Sequence, residues 1–189
     1  MEIIKKSPRT LNKAFSVLKK GGVVIYPTDT VYGFLADASN KKAVKKIYKI
    51  KKRLKSKPLP LFVKDLKMAK ELAEMDARQE KILRKFWPGK YTFVLKKRKP
   101  GKKLYGVDKR TIAIRVPKYA FLNKLLKKFD NPLVQTSVNI SGQEILRDSK
   151  DIIKIFRGSN ILIINAGKIK KSKPSHIVDL TSSNLIRLR

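Results

Sequence analysis

The chain has 189 residues, 42% of them hydrophobic, and sets 47 Lys plus Arg against 14 Asp plus Glu for a net charge of +33. With no cysteine, it can form no disulfide, no thiolate zinc site and no thiol nucleophile, and its single histidine, His176, leaves little room for a histidine metal cluster or a Ser-His-Asp triad. No apolar run approaches the roughly 20 residues of a membrane span, and the N-terminus lacks a signal-peptide core, so a cytoplasmic, membrane-free, single-domain protein over residues 1–189 is expected.

Leu11, Ala14, Phe15 and Leu18 recur at helical spacing, and Gly21 stops that helix. Val23 to Tyr26 read as a strand buried on both faces, ending in Pro27-Thr28-Asp29-Thr30. A helix over 41–52 follows, capped by Ser39 or Asn40, with Val44, Ile47 and Ile50 inward. Leu61 to Val63 form a short strand, and Asp65 caps the next helix. A further helix runs through Ile82, Leu83 and Phe86 to the break at Pro88-Gly89. YTFVLK, TIAIRV, LVQT, ILIIN and HIVDL are strands; KYAFLNKLLKKF and DSKDIIKIF are helices; residues 96–110 form a basic loop. This alternation predicts an α/β protein whose sheet is mixed rather than purely parallel, with helices packed on it.

The charge concentrates anions at the surface, and its lack of balance by glutamate favours a polyanionic partner such as nucleic acid. The basic residues are spread along the chain, so the eleven arginines are more informative than the many lysines. Neither GxxxxGK[ST] nor GxGxxG occurs. Five segments could carry chemistry instead. Pro27-Thr28-Asp29-Thr30 at a strand end reads either as an Asp-stabilised turn or as a carboxylate or phosphate seat. In KIKKRLKSKPLPLF, Lys51, Arg53 and Lys55 follow a helix C-terminus, where cations are favoured by the dipole; Arg53 can grip an anion bidentately. Alternation in TIAIRVP sets Thr111, Ala113 and Arg115 on one face, and an arginine there requires a ligand anion or an internal carboxylate. LVQTSVNISG ends in a dense set of hydroxyls and amides that includes Ser137 and Asn139, and it reads equally as a capped turn. Ser175 opens one C-terminal strand and Arg187 lies in another.

These segments, in order, are YPTDTVYGFLADASN, KIKKR with KPLPLFV, FWPGKYTFVLKK, TIAIRVP, TSVNISG, and PSHIVDL with LIRLR. Together they resemble the YrdC family of threonylcarbamoyl-adenylate synthases over nearly the whole chain. The family's KxR pattern falls on Lys51 and Arg53, and its SxN pattern on Ser137 and Asn139. The resemblance implies a twisted mixed sheet flanked by helices around a basic cavity. It also implies a reaction: L-threonine, bicarbonate and ATP give threonylcarbamoyl-AMP and pyrophosphate. Mg²⁺ would accompany ATP, and downstream transferases would pass the threonylcarbamoyl group to tRNA. By position, Thr28, Arg115 and Ser175 are the implied threonine contacts. Lys51, Lys55, Thr111, Ser137 and Arg187 are the implied ATP contacts. The alternative is a non-catalytic RNA- or tRNA-binding protein that uses the same cavity.

The sequence departs from the family pattern in places. Lys52-Arg53-Leu54 stands for Gly-Arg-Pro, and Phe62 replaces a histidine expected to touch threonine. Gln143-Glu144-Ile145-Leu146 replaces the usual residues after Ser141-Gly142, with expected loss of a phosphate contact near Ile145. The chain stops shortly after Arg187, so no extra C-terminal domain is expected.

Overall fold

The computed structural model describes all residues except 173, 183–185 and 189, and for Arg187 the backbone alone. Helix α1 (Thr10–Lys19) ends where Gly21 turns to φ 75°. Strand β2 (Val24–Pro27) is buried throughout, and it pairs antiparallel with β3 (Tyr32–Asp37). Helix α2 (Lys41–Lys51) is capped by the Asn40 side chain, which accepts from the Ala43 N–H. Asp65 caps α3 (Leu66–Leu72) in the same way, and Asp76 with Gln79 forms a capping box on α4 (Ala77–Phe86). The remaining helices are α5 (Ala120–Lys127) and α6 (Ser149–Ile155).

Among the described residues one mixed sheet contains all eleven strands. Besides β2 and β3 these are β1 (Glu2–Lys5), β4 (Leu61–Phe62), β5 (Ala73–Glu74), β6 (Tyr91–Lys97), β7 (Thr111–Arg115), β8 (Leu133–Ser137), β9 (Leu162–Asn165), β10 (His176–Asp179) and β11 (Ile186–Arg187). Their order is β1-β9-β2-β3-β8-β4-β7-β6-β10-β11, with β5 added beside β6. The β9, β4–β7 and β6–β10 pairings are parallel and the others antiparallel, so the mixed sheet expected from the alternating pattern is present.

The two faces of the sheet are covered unequally. On one face Ile25, Phe34, Leu61, Phe93, Leu95, Ile112 and Ile114 pack with Val44, Ile47, Met68 and Ile152 of α2, α3 and α6. On the other, α1 and α5 bury Ala14, Leu18, Leu122, Leu125 and Leu126 against Val24, Tyr26, Leu35, Phe62 and Leu133. Residues of that second face on β6, β7, β8 and β10 instead wall a cavity. The apolar contact of α1 with β2, β3 and β9, and of α5 with α1, holds the two helices to one side. The open side of this face is where a ligand can enter.

Three elements differ from expectation. YGFLAD is a strand, because pairing with β2 and β8 supplies backbone partners to a segment whose Gly33 weakens its local strand signal. Residues 2–5 also add an edge strand through β9, and Ala73-Glu74 pair with Lys96-Lys97. Trp87 is partly buried against the core, with Nε1 donating to the Tyr91 carbonyl. His176 lies against the Tyr91 ring at 5.1 Å, and nothing in its position gives it a catalytic role.

Candidate active site

The β2–β3 hairpin turns at Thr28–Val31. Thr28 Oγ1 accepts from the backbone N–H groups of Thr30 and Val31, and donates to the Val31 carbonyl at 2.7 Å. Its hydrogen-bonding capacity is thereby used within the turn. Thr30 and Val31, not Thr28, face the cavity. Asp29 does not hold this turn. Its Oδ2 lies 2.5 Å from an Arg115 guanidinium nitrogen and also accepts from the Lys118 N–H at 3.3 Å. The two residues exchange the parts the sequence pattern gives them, since threonine and aspartate both close such turns.

The cavity has a volume of about 350 Å³. Its walls present Lys51, Arg53, Lys57 and Arg115, with no carboxylate among the described lining residues. Alternation on the strands explains its floor: Ala113 and Arg115 on β7, Val94 on β6, Gln135 and Ser137 on β8, and Ile177 on β10 all reach the same face. The structure therefore brings together Lys51, Arg53, Arg115, Ser137, Asn139 and Ser175 of the residues singled out from sequence. Lys55 lies in a separate depression with Tyr105, and Thr28 is not among the lining residues. Thr111 borders a neighbouring basic depression and donates to Asp108. The Arg187 side chain lies outside the described residues. Sequence reading did not single out the apolar wall, Val94, Pro60 and Ile177, because each reads as ordinary strand or loop sequence.

Registers set the backbone levels of the lining strands. Phe62 pairs with both Arg115 and Leu133, so these are level across the sheet. Ser137 lies four residues beyond Leu133, about 13 Å along the strand direction. Thr111, four residues before Arg115 on an oppositely directed strand, is level with Ser137, about 10 Å away across the sheet. Ser175, buried and accepting from Thr92 Oγ1 at 3.2 Å, stands on the Arg115 side, because Thr92 is on the strand beside β7.

Arg115 is 1% exposed. Beyond Asp29, its Nε donates to the Gly89 carbonyl at 2.8 Å, and the guanidinium carbon lies 5.5 Å from the centre of the Phe62 ring. The internal carboxylate anticipated for this arginine is thus present, yet Arg115 also reaches the cavity wall. Phe62 is fully buried beneath it, where an imidazole would put a polar group instead.

Lys51, also on the cavity wall, is 2% exposed. Its Nζ donates to the Ser137 carbonyl (2.5 Å), the Asn139 carbonyl (2.9 Å) and Asn139 Oδ1 (2.8 Å). Burial, then the neighbouring Arg53 charge, pushes its pKa down to about 7, while the three oxygens favour the ammonium. Ser137 Oγ donates to Asn139 Oδ1, and Asn139 Nδ2 donates to the Gln143 carbonyl. Arg53 braces the following loop through the Lys57 and Pro58 carbonyls. Lys51, Ser137 and Asn139 therefore form one network, while Arg53 braces the 57–58 loop beside it. Lys52, between the two cations, takes the left-handed conformation (φ 50°) that ends α2.

A family model described as "Telomere recombination", covering Sua5, YciO and YrdC proteins, matches residues 16–189. The chain belongs to the Sua5/YciO/YrdC family. Within this family it is 39% identical over 181 residues to a Methanocaldococcus jannaschii protein named provisionally as a threonylcarbamoyl-AMP synthase, covering 94% of this chain and 85% of that one. It is 30% identical over 182 residues to the threonylcarbamoyl-AMP synthase of Psychromonas ingrahamii, covering 94% and 95% of the two chains. The fold matches Pyrococcus abyssi Sua5 complexed with L-threonine at a TM-score of 0.86 and 29% identity, covering all of this chain and 56% of that one. It also matches Escherichia coli YciO at 0.86 and 28%, covering 100% and 92%. The chain thus spans just over half the length of the P. abyssi protein.

Proposed function

We propose that this chain is an L-threonylcarbamoyladenylate synthase, a nucleotidyltransferase that forms threonylcarbamoyl-AMP and pyrophosphate from L-threonine, bicarbonate and ATP. The observation that carries this reading is one basic cavity lined both by the buried Arg115 with Ser175 and by the Lys51–Ser137–Asn139 network. Such a lining suits an anionic amino-acid carbamate and a nucleoside phosphate held together. The names of the relatives support the same reading.

In this mechanism the threonine carboxylate would pair with the Arg115 guanidinium, with Ser175 and Thr30 offering hydroxyls nearby. The neutral threonine amine adds to carbon dioxide with loss of a proton, or to bicarbonate with loss of water, giving a carbamate. A carbamate oxygen then attacks the α-phosphorus of ATP, and the bond from that phosphorus to the bridging oxygen breaks to release pyrophosphate. Two anions must approach, so fixed cations must offset their repulsion. Arg53, Lys57 and Lys51, which line the cavity, would serve that purpose. No side chain need become a nucleophile, because positioning and electrostatics supply the rate. Mg²⁺ would arrive on the triphosphate and keep much of its water shell. The cavity wall offers it hydroxyl and amide oxygens, and among the described residues no group of three or more acidic or histidine side chains gathers into a metal cage. Transferase proteins acting on tRNA would consume the product.

Omitting substrates one at a time tests the reading. The purified chain should release pyrophosphate from Mg²⁺-ATP only with both L-threonine and bicarbonate present. Release independent of either would refute it. The net charge of +33 supports a second reading, RNA binding by the same basic rim, which predicts affinity falling linearly with salt on logarithmic axes.

A further inference from the structure

We propose that Asp29 is the positioning residue of Arg115, and that it sets how strongly the cavity holds a carboxylate. This rests on the synthase reading, in which an amino-acid carboxylate pairs with Arg115. Asp29 is not among the residues that line the cavity, and its carboxylate meets the arginine that does. Its side chain is 9% exposed, and that of Arg115 1%. The guanidinium is held by Asp29 Oδ2 at 2.5 Å, by the Gly89 carbonyl at 2.8 Å and by the Phe62 ring, and the contact with Asp29 is an ion pair. The Lys118 N–H holds Asp29 Oδ2, while Oδ1 is buried without a hydrogen-bond partner among the described residues. The carboxylate is thus committed to the arginine rather than shared with solvent.

Two consequences follow. The guanidinium is aimed before any ligand arrives, which lowers the ordering cost of binding. Its charge is also partly balanced, so a small inorganic anion gains little by entering and a carboxylate must fit to bind. The hairpin makes this possible: Thr28 closes the turn and leaves Asp29 free to face Arg115.

The test is calorimetric binding of L-threonine, with Mg²⁺ and a non-hydrolysable ATP analogue present, to wild type, Asp29→Ala and Asp29→Asn. Asp29→Ala should weaken L-threonine by at least about tenfold, as expected when an aimed group is released, and the analogue by less than about threefold. Asp29→Asn preserves the volume and one acceptor, so it guards against a folding failure. It leaves the guanidinium uncompensated, and chloride titrated at constant ionic strength should compete with L-threonine more strongly than in wild type. A purely structural aspartate would lower the melting temperature and leave that competition unchanged. Wild-type affinity and wild-type chloride competition in both variants would overturn the proposal. A wild type that binds no L-threonine would instead overturn the synthase reading and this inference with it.

Discussion

On the synthase reading, Lys51 should make nucleotide binding a proton-coupled event. Its ammonium is buried at the cavity rim with a pKa lowered to about 7, chiefly by desolvation and then by Arg53. At pH 8 roughly one tenth of the free protein carries the proton there, at pH 7 about half, and at pH 6 about nine tenths. A bound triphosphate favours the ammonium and draws the pKa up. Binding at pH 8 should therefore take up close to one proton, falling to about half at pH 7 and about a tenth at pH 6. Titrations of a non-hydrolysable Mg²⁺-nucleotide in buffers of different ionisation enthalpy measure this number directly. Lys51→Met should abolish the pH-dependent part. Equal uptake at pH 6 and pH 8, or unchanged uptake in Lys51→Met, would refute the reasoning. The sign extends to stability. The unfolded chain, with Lys51 near 10.5, binds more protons than the folded one between about pH 7 and 10.5. The cost of burying this charge is fully present below pH 7 and is relieved as pH rises through that window.

Further predictions concern the same elements. Arg115→Ala should abolish threonine-dependent turnover and also leave Asp29 buried without its partner, at about 3–5 kcal/mol of stability by denaturant titration, whereas Lys97→Ala on β6 should change neither. Thr28→Val should cost about 1–3 kcal/mol, because two turn N–H groups lose their acceptor; a melting temperature equal to wild type would contradict the role assigned to that hydroxyl. Lys52→Gly should raise stability by about 0.5–1 kcal/mol, or some 1–3 °C in melting temperature, since glycine takes the left-handed C-cap without strain.

Much of the fold was legible because its helices carry apolar faces at helical spacing and side-chain caps at Asn40, Asp65 and Asp76. Strand β3 was not legible. Its pairing is non-local on one side, and Gly33 with the preceding polar turn makes the segment read as loop. At the site, the β7 alternation correctly put Ala113 and Arg115 on one face, and the order of the motifs gave the family. The partner of Arg115 could not be read from sequence, since Asp29 lies 86 positions away and is brought there only by the sheet. The same is true of Lys51, whose role as a tie between loops depends on carbonyls at 137 and 139, whereas Thr28 spends its hydroxyl on its own turn, one of the two uses its residue type allows. Residue type announced polar chemistry at these strand ends, and tertiary register decided which group faces the cavity.

The most direct test supplies the purified chain with ¹³C-bicarbonate, L-threonine and Mg²⁺-ATP and examines the products by mass spectrometry. The account predicts threonylcarbamoyl-AMP carrying one ¹³C, formed by the wild type and absent with Arg115→Ala. Pyrophosphate formed without labelled adenylate, or labelled product undiminished in Arg115→Ala, would contradict it.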